Sequence, residues 1–155
     1  TLDRKVGGPA FEPFRFKDDH SPIYDHTAVD RITAPEMRRR SIYRFAVRSV
    51  PHPFLECLDA ADPNSLTPAR STTVTALQAL ALWNDPFMLA QSEAFAARCR
   101  DGGDLDKSVA TAVRFAFGRE CGDEERRVLT ELARTRGLSE VCRVLFNTNE
   151  FVFVD

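Results

Sequence analysis

Leu138-Ser-Glu-Val-Cys-Arg-Val-Leu-Phe146 sets Leu138, Val141, Cys142, Leu145 and Phe146 at i, i+3, i+4, i+7 and i+8, the stripe of a helix with one buried face. Working back along the chain, Gly137 closes an earlier helix that begins near Asp123. That helix is acidic in its first turn and basic afterwards, as the helix dipole favours, with Val128, Leu129 and Leu132 turned inward. Before it, Asp104 opens a helix carrying Leu105, Val109, Ala112, Val113 and Ala116 until Gly118. Asp85 caps another, with Pro86 in its first position, Met88, Phe95 and Cys99 along one side, Leu89 and Ala96 beside them, and a stop at Asp101-Gly-Gly103. Thr75-x-x-Gln78 is a capping box opening a run through Trp83, after which Asn84 takes the left-handed position. The pattern predicts a mainly α fold, a bundle of about five helices around one core.

All nine prolines lie at or before Pro86, so the front of the chain is loop-rich and the rear can be helical throughout. Pro9 and Pro13 make Val6 to Phe16 an extended aromatic arm that needs a body to lie on. Thr33-Ala-Pro-Glu36 reads as a second capping box starting a short helix. Ser41 to Val50 alternates, with Tyr43, Phe45 and Val47 on one face and Arg40, Arg44 and Arg48 on the other, which reads as a half-buried strand ended by Pro51, although a helical face also fits. The tail Phe151-Val-Phe-Val154 is too apolar to stay in water and is expected to pack on the front half. We expect one domain over 1–155, a loop-rich arm and strand over 1–69 and a helical core over 70–155. The start at Thr1, without Met or leader, reads as a fragment of a longer protein.

The 155 residues are 43% hydrophobic and 28% charged, ordinary for a globular domain that buries a core without staples. A net charge of −2 supplies no global basic field for nucleic acid. The longest nearly apolar run, Val74 to Trp83, is about half the ~20 residues a membrane span needs. Cys57, Cys99, Cys121 and Cys142 form no C-x-x-C pair for zinc and no covalent haem motif, and are expected to be free thiols. Nucleotide-binding loops, the G-x-S-x-G elbow and H-E-x-x-H are absent from the sequence.

Five blocks are Arg38-Arg-Arg-Ser-Ile-Tyr-Arg-Phe45, Asp59-Ala-Ala-Asp-Pro63, Thr75-Ala-Leu-Gln-Ala-Leu-Ala-Leu-Trp-Asn-Asp-Pro86, Ala116-Phe-Gly-Arg119 and Leu145-Phe-Asn-Thr-Asn-Glu-Phe151. In order, they resemble the C-terminal domain of large secreted planctomycete proteins, the cytochrome-associated family known as domain of unknown function 1553. The resemblance implies export to the periplasm, cell envelope or exterior. It also implies partners in the upstream domains of the same protein, one of them c-type cytochrome-like, so that haem belongs to a neighbour and no cofactor to this chain. It implies no activity. Glu120-Cys-Gly122 departs from the family, where Pro and Ser or Thr precede the fourth helix, and predicts a weaker cap here.

Several residue groups are candidates for chemistry. Asp18-Asp-His20 and Tyr24-Asp25-His26, with Asp30 nearby, gather imidazoles and carboxylates in one loop, so a metal on His20, His26, Asp18 and Asp25, or an acid/base pair, is conceivable there, though the spacing matches no ligand motif. Arg38, Arg39, Arg40, Arg44 and Arg48 form a basic stretch that reads as paired with acidic loop residues or an upstream domain, or, with Arg38, Arg40, Arg44 and Arg48 outward, as a docking surface for an acidic or haem-bearing partner. Arg70, Thr73, Thr75, Gln78 and Asn84 are expected to tie loop backbone to helix. Asp101 to Asp106 lacks the position-six Gly and terminal Glu of a calcium loop and reads as capping. Cys57 is a nucleophile only with His52 in reach. Taken together, the residues favour a non-catalytic interaction domain. A ligand-binding or enzymatic domain using the Asp18 to Asp30 loop, and a cytochrome-docking surface, are the alternatives.

Overall fold

The computed structural model describes residues 2–18, 20–62, 66, 73 and 75–153. The fold is mainly α. Among the described residues there are eight α-helices: α1 (Val29–Ile32), α2 (Pro53–Cys57), α3 (Ala76–Asn84), α4 (Pro86–Cys99), α5 (Leu105–Phe117), α6 (Asp123–Arg136), α7 (Leu138–Phe146) and α8 (Asn149–Val152). One antiparallel sheet pairs β1 (Arg15–Lys17) with β2 (Ile23–Asp25), Phe16 facing Tyr24. The chain forms two compact units, one of Thr1–Ala81 with Asp85–Phe87, the other of Leu82–Asn84 with Met88–Asp155.

The second unit is built on the proline-free rear. Its core joins Ala96 and Cys99 of α4, Val109, Ala112 and Val113 of α5, Leu129 and Ala133 of α6, and Leu138, Val141, Cys142 and Leu145 of α7, with Cys121 between helices. The stripe of α7 is therefore inside as its spacing requires, and Leu105 and Leu132 pack against the same cluster. Four helices share this core rather than five, because α3 buries none of its nine residues. On α6 the buried row is Leu129, Thr130 and Ala133, whereas Val128 is 53% exposed. Thr130 is admitted because its hydroxyl donates to Asp106 at 3.1 Å. On α4 the inward row runs Met88, Ser92, Ala96 and Cys99, and Ser92 satisfies its hydroxyl on the Met88 carbonyl at 2.8 Å. The four cysteines are free thiols, and Cys99 and Cys142 share a hydrogen bond that lowers the pKa of the first and raises that of the second.

The helix ends follow side-chain chemistry. Asp104 accepts from Lys107 N–H at 3.1 Å, and Gly118 ends α5 at φ 72°, a left-handed position that suits glycine. Thr75 and Gln78 form the full capping box of α3. Asn84, expected to be left-handed, stays helical, and the extended Asp85 alone links α3 to α4, accepting from Phe87 N–H at 2.8 Å. Gly122 offers no capping side chain to α6, so Glu125 reaches back to its N–H at 3.2 Å and, with Glu150, holds Arg119. Phe151 and Val152 of the apolar tail lie in α8, which contacts α5 and α7, with Phe151 on the Phe146 ring at 5.0 Å.

In the first unit the aromatic arm is itself core, since Phe11, Pro13 and Phe14 are buried along with Ala28, Ile32 and Phe54. The strand expected over 41–50 does not form. Ser41–Tyr43 is a 3-10 turn, and the following segment touches the arm through one bridge, Phe11 N–H to Tyr43 carbonyl (2.9 Å) and Phe45 N–H to Phe11 carbonyl (2.8 Å). The prolines on either side of Phe11 restrict the arm and remove donors, so a ladder cannot continue. The Thr33 capping box is also absent. Its hydroxyl donates to the Val29 carbonyl at 2.8 Å, closing α1, and Pro35–Arg38 is a 3-10 turn with Ala34 before it.

Leu145, 2% exposed at the centre of the α7 stripe, should cost about 2–5 kcal/mol when changed to Ala. Val128→Ala should stay within about 0.5 kcal/mol. Denaturant titrations of the two variants check the pair, and equal losses would contradict the assignment of the α6 and α7 faces.

Candidate functional site

Three polar side chains meet in the first unit. His26 follows β2, Arg44 follows the 3-10 turn at Ser41–Tyr43, and His52 is the residue before α2, held extended by Pro53 in the first helical position. Phe14 steers the first of them, placing its ring edge-on to Tyr24 (5.0 Å), His26 (5.5 Å) and Phe45 (6.1 Å). The His26 and His52 rings then meet with centroids 4.4 Å apart and planes at 65°. They and Arg44 line a cavity of about 140 Å³ whose apolar wall includes Phe11, Ile32, Phe54 and Phe87. A wider cavity of about 640 Å³ shares Ser41, Arg44, His52 and Leu55 and runs on past Val47 and Val50.

Burial lowers the pKa of both histidines, and the Arg44 charge lowers it further. His52 falls to about 4, so both rings are neutral at pH 7. Burial also lowers the pKa of Arg44, and among the described residues no carboxylate bonds its guanidinium. Neither ring nitrogen of His26, nor Nδ1 of His52, has a hydrogen-bond partner. The Pro13 carbonyl is near enough to raise the proton affinity of His26 without being aligned to bond it. Each buried polar atom left this way costs about 1–3 kcal/mol. Asp25, adjacent in sequence, accepts from the Thr27 N–H (2.8 Å) and hydroxyl (2.7 Å) rather than from His26. Asp85 on the cavity wall accepts from Phe87 N–H, and burial raises its pKa. The arrangement offers a half-buried cation and two neutral imidazoles, a set that binds and orients.

The sequence candidates are dispersed. Asp18 and His20 are exposed in the turn between β1 and β2, Asp19 lies outside the described residues, and Asp30 pairs with Arg15 at 2.8 Å. Among the described residues no three His, Cys, Asp or Glu side chains are grouped to hold a metal ion. Arg38, Arg40 and Arg48 are exposed, and Arg44 is half-buried on the cavity wall. Arg39 has the structural task among them, donating to the carbonyls of Gly7 (2.6 Å) and Pro9 (2.9 Å) and stacking on Tyr43 at 4.3 Å, which clamps the arm. Cys57 is half-buried, and His52 turns to His26. His52 is separated from His26 by a whole irregular segment, and no spacing rule links them. The polar residues before α3 do tie loop to helix. Asp59, left-handed at φ 56°, accepts from Thr73 N–H and hydroxyl and from Gln78 Nε2 at 2.7–3.0 Å. Arg70 lies outside the described residues. At the far end of α3, Arg143 donates to the Trp83 carbonyl at 2.7 Å.

A family model described as PSD1, protein of unknown function (DUF1553), matches residues 1–133. No curated protein and no solved structure matches the chain.

His52 is a base whose folded pKa, about 4, lies below its ordinary 6.5. Between those values the unfolded chain binds more protons, so this contribution to stability is complete above about pH 6.5 and is lost as pH falls toward 4. Solvent screening of a ring this exposed trims it to about 1–2 kcal/mol. His52→Gln should therefore lose less stability than the unmodified chain between pH 7 and pH 4.5 in denaturant titrations, and parallel losses would contradict the buried neutral ring.

Proposed function

Since this chain belongs to the DUF1553 family of proteins of unknown function, we propose that it is a non-catalytic interaction domain that packs through α3 on another domain of the same polypeptide. The observation that carries the reading is α3 itself. Its sequence, Ala-Leu-Gln-Ala-Leu-Ala-Leu-Trp-Asn, has no charged side chain, yet none of the nine residues is buried, and Leu77 and Leu80 are 61% and 56% exposed. Helices shorter than about 12 residues are marginal in water and hold their shape by packing an apolar face. A helix so apolar and so open is one side of an interface, and the lack of charge suits a lasting contact between domains better than a transient, salt-steered one.

The family resemblance supports the partner and setting. The upstream domains of a secreted or envelope planctomycete protein, one of them a c-type cytochrome-like domain carrying haem, are the first to test, with no cofactor held by this chain. No helix among the described residues is long and apolar enough to cross a membrane.

Changing both Leu77 and Leu80 to Ser should reduce binding of an apolar dye and abolish capture of the upstream domains supplied as a separate polypeptide. Stability of the chain itself should move by no more than about 0.5 kcal/mol, as for exposed sites. Capture unchanged in the variant, or a stability loss of about 2 kcal/mol or more, would place the leucines in internal packing and contradict the proposal.

A further inference from the structure

We infer that the cavity between His26, Arg44 and His52 is a binding site for a small monocarboxylate with a benzene-sized apolar body. This goes beyond the interaction role of α3 and uses none of its residues. The charge comes first. The Arg44 guanidinium is half-buried in the wall of the cavity, and no carboxylate among the described residues bonds it. A half-buried cation gains from an opposite charge, and the planar guanidinium fork accommodates the two oxygens of a carboxylate side by side.

The histidines supply the next constraint. Each neutral imidazole has one N–H donor, and three of the ring nitrogens are buried without a partner. A carboxylate against Arg44 accepts from at most one N–H of each ring, and the second nitrogen of His26 is left as an acceptor. The size and lining of the space select the remainder of the ligand. An apolar cavity near 150 Å³ holds a benzene molecule, and this one is about 140 Å³ with Phe11, Ile32, Phe54 and Phe87 on its walls. A phosphate has no apolar part to place against the four side chains.

Sodium benzoate is the probe, titrated into the unmodified chain and followed by calorimetry and by the side-chain nitrogen signals of the histidines. The expected result is saturable one-to-one binding that moves the His26 and His52 signals at millimolar benzoate or below. Benzamide, the uncharged isostere, and inorganic phosphate should each bind at least tenfold more weakly. Arg44→Gln should lose at least tenfold in benzoate affinity, and Arg44→Lys, which keeps the charge without the fork, should lose less. Absence of saturable shifts at millimolar benzoate overturns the inference, as does benzamide or phosphate binding as tightly as benzoate. Should Arg44→Gln fail to fold, the ligand comparison on the unmodified chain decides the matter alone.

Discussion

The dry contact between α5 and α7 is the constraint on which the second unit depends. Val109, Ala112 and Val113 on one helix and Val141, Cys142 and Leu145 on the other are each 2% exposed or less. Small and branched residues at these positions let the helices approach closely, and each large aliphatic group fully buried contributes about 1.5–3 kcal/mol. With that contact made, α6 closes the third side through Leu129 and Ala133, and Ala96 and Cys99 fix α4. The polar residues admitted to the interior, Ser92, Ser108 and Thr130, all have hydrogen bonds, so the core carries no penalty from unmatched hydroxyls.

The first unit holds together differently. Its regular structure is short, and order comes from ring edges around Phe14, from the Arg39 clamp on the arm and from the Asp59 knot. Such a framework fixes positions without filling every space. Its cavities lie among irregular segments, and Arg44 and two neutral imidazoles are left facing one of them. Polar atoms left unmatched in this way contrast with the bonded hydroxyls of Ser92, Ser108 and Thr130 in the helical unit.

That difference also decides what could be read from the sequence. Helices α4 to α7 are legible in the sequence because each carries a 3.6-residue period, with Asp caps opening α4 and α5 and glycines after α5 and α6. Periodicity tells which residues lie together on a face but not how wide the buried sector is, and Val128 lies outside it. The 41–50 segment alternates like a strand, yet a strand exists only with a partner, and the arm bounded by Pro9 and Pro13 offers a single bridge. At the site, sequence alone offers His26 to a metal loop and Arg44 to a docking surface. Their meeting with His52 is a product of tertiary packing in which no residue is near the next in sequence, and Asp18 and His20 stay exposed.

The central claim is that the α5–α7 contact carries the second unit while α3 is held for a surface outside the chain. Backbone hydrogen exchange on the unmodified chain tests it most directly. The account predicts the slowest amides at residues 109–113 and 141–145 and fast exchange along 76–84. Amides of α3 as slow as those of α7 would contradict it.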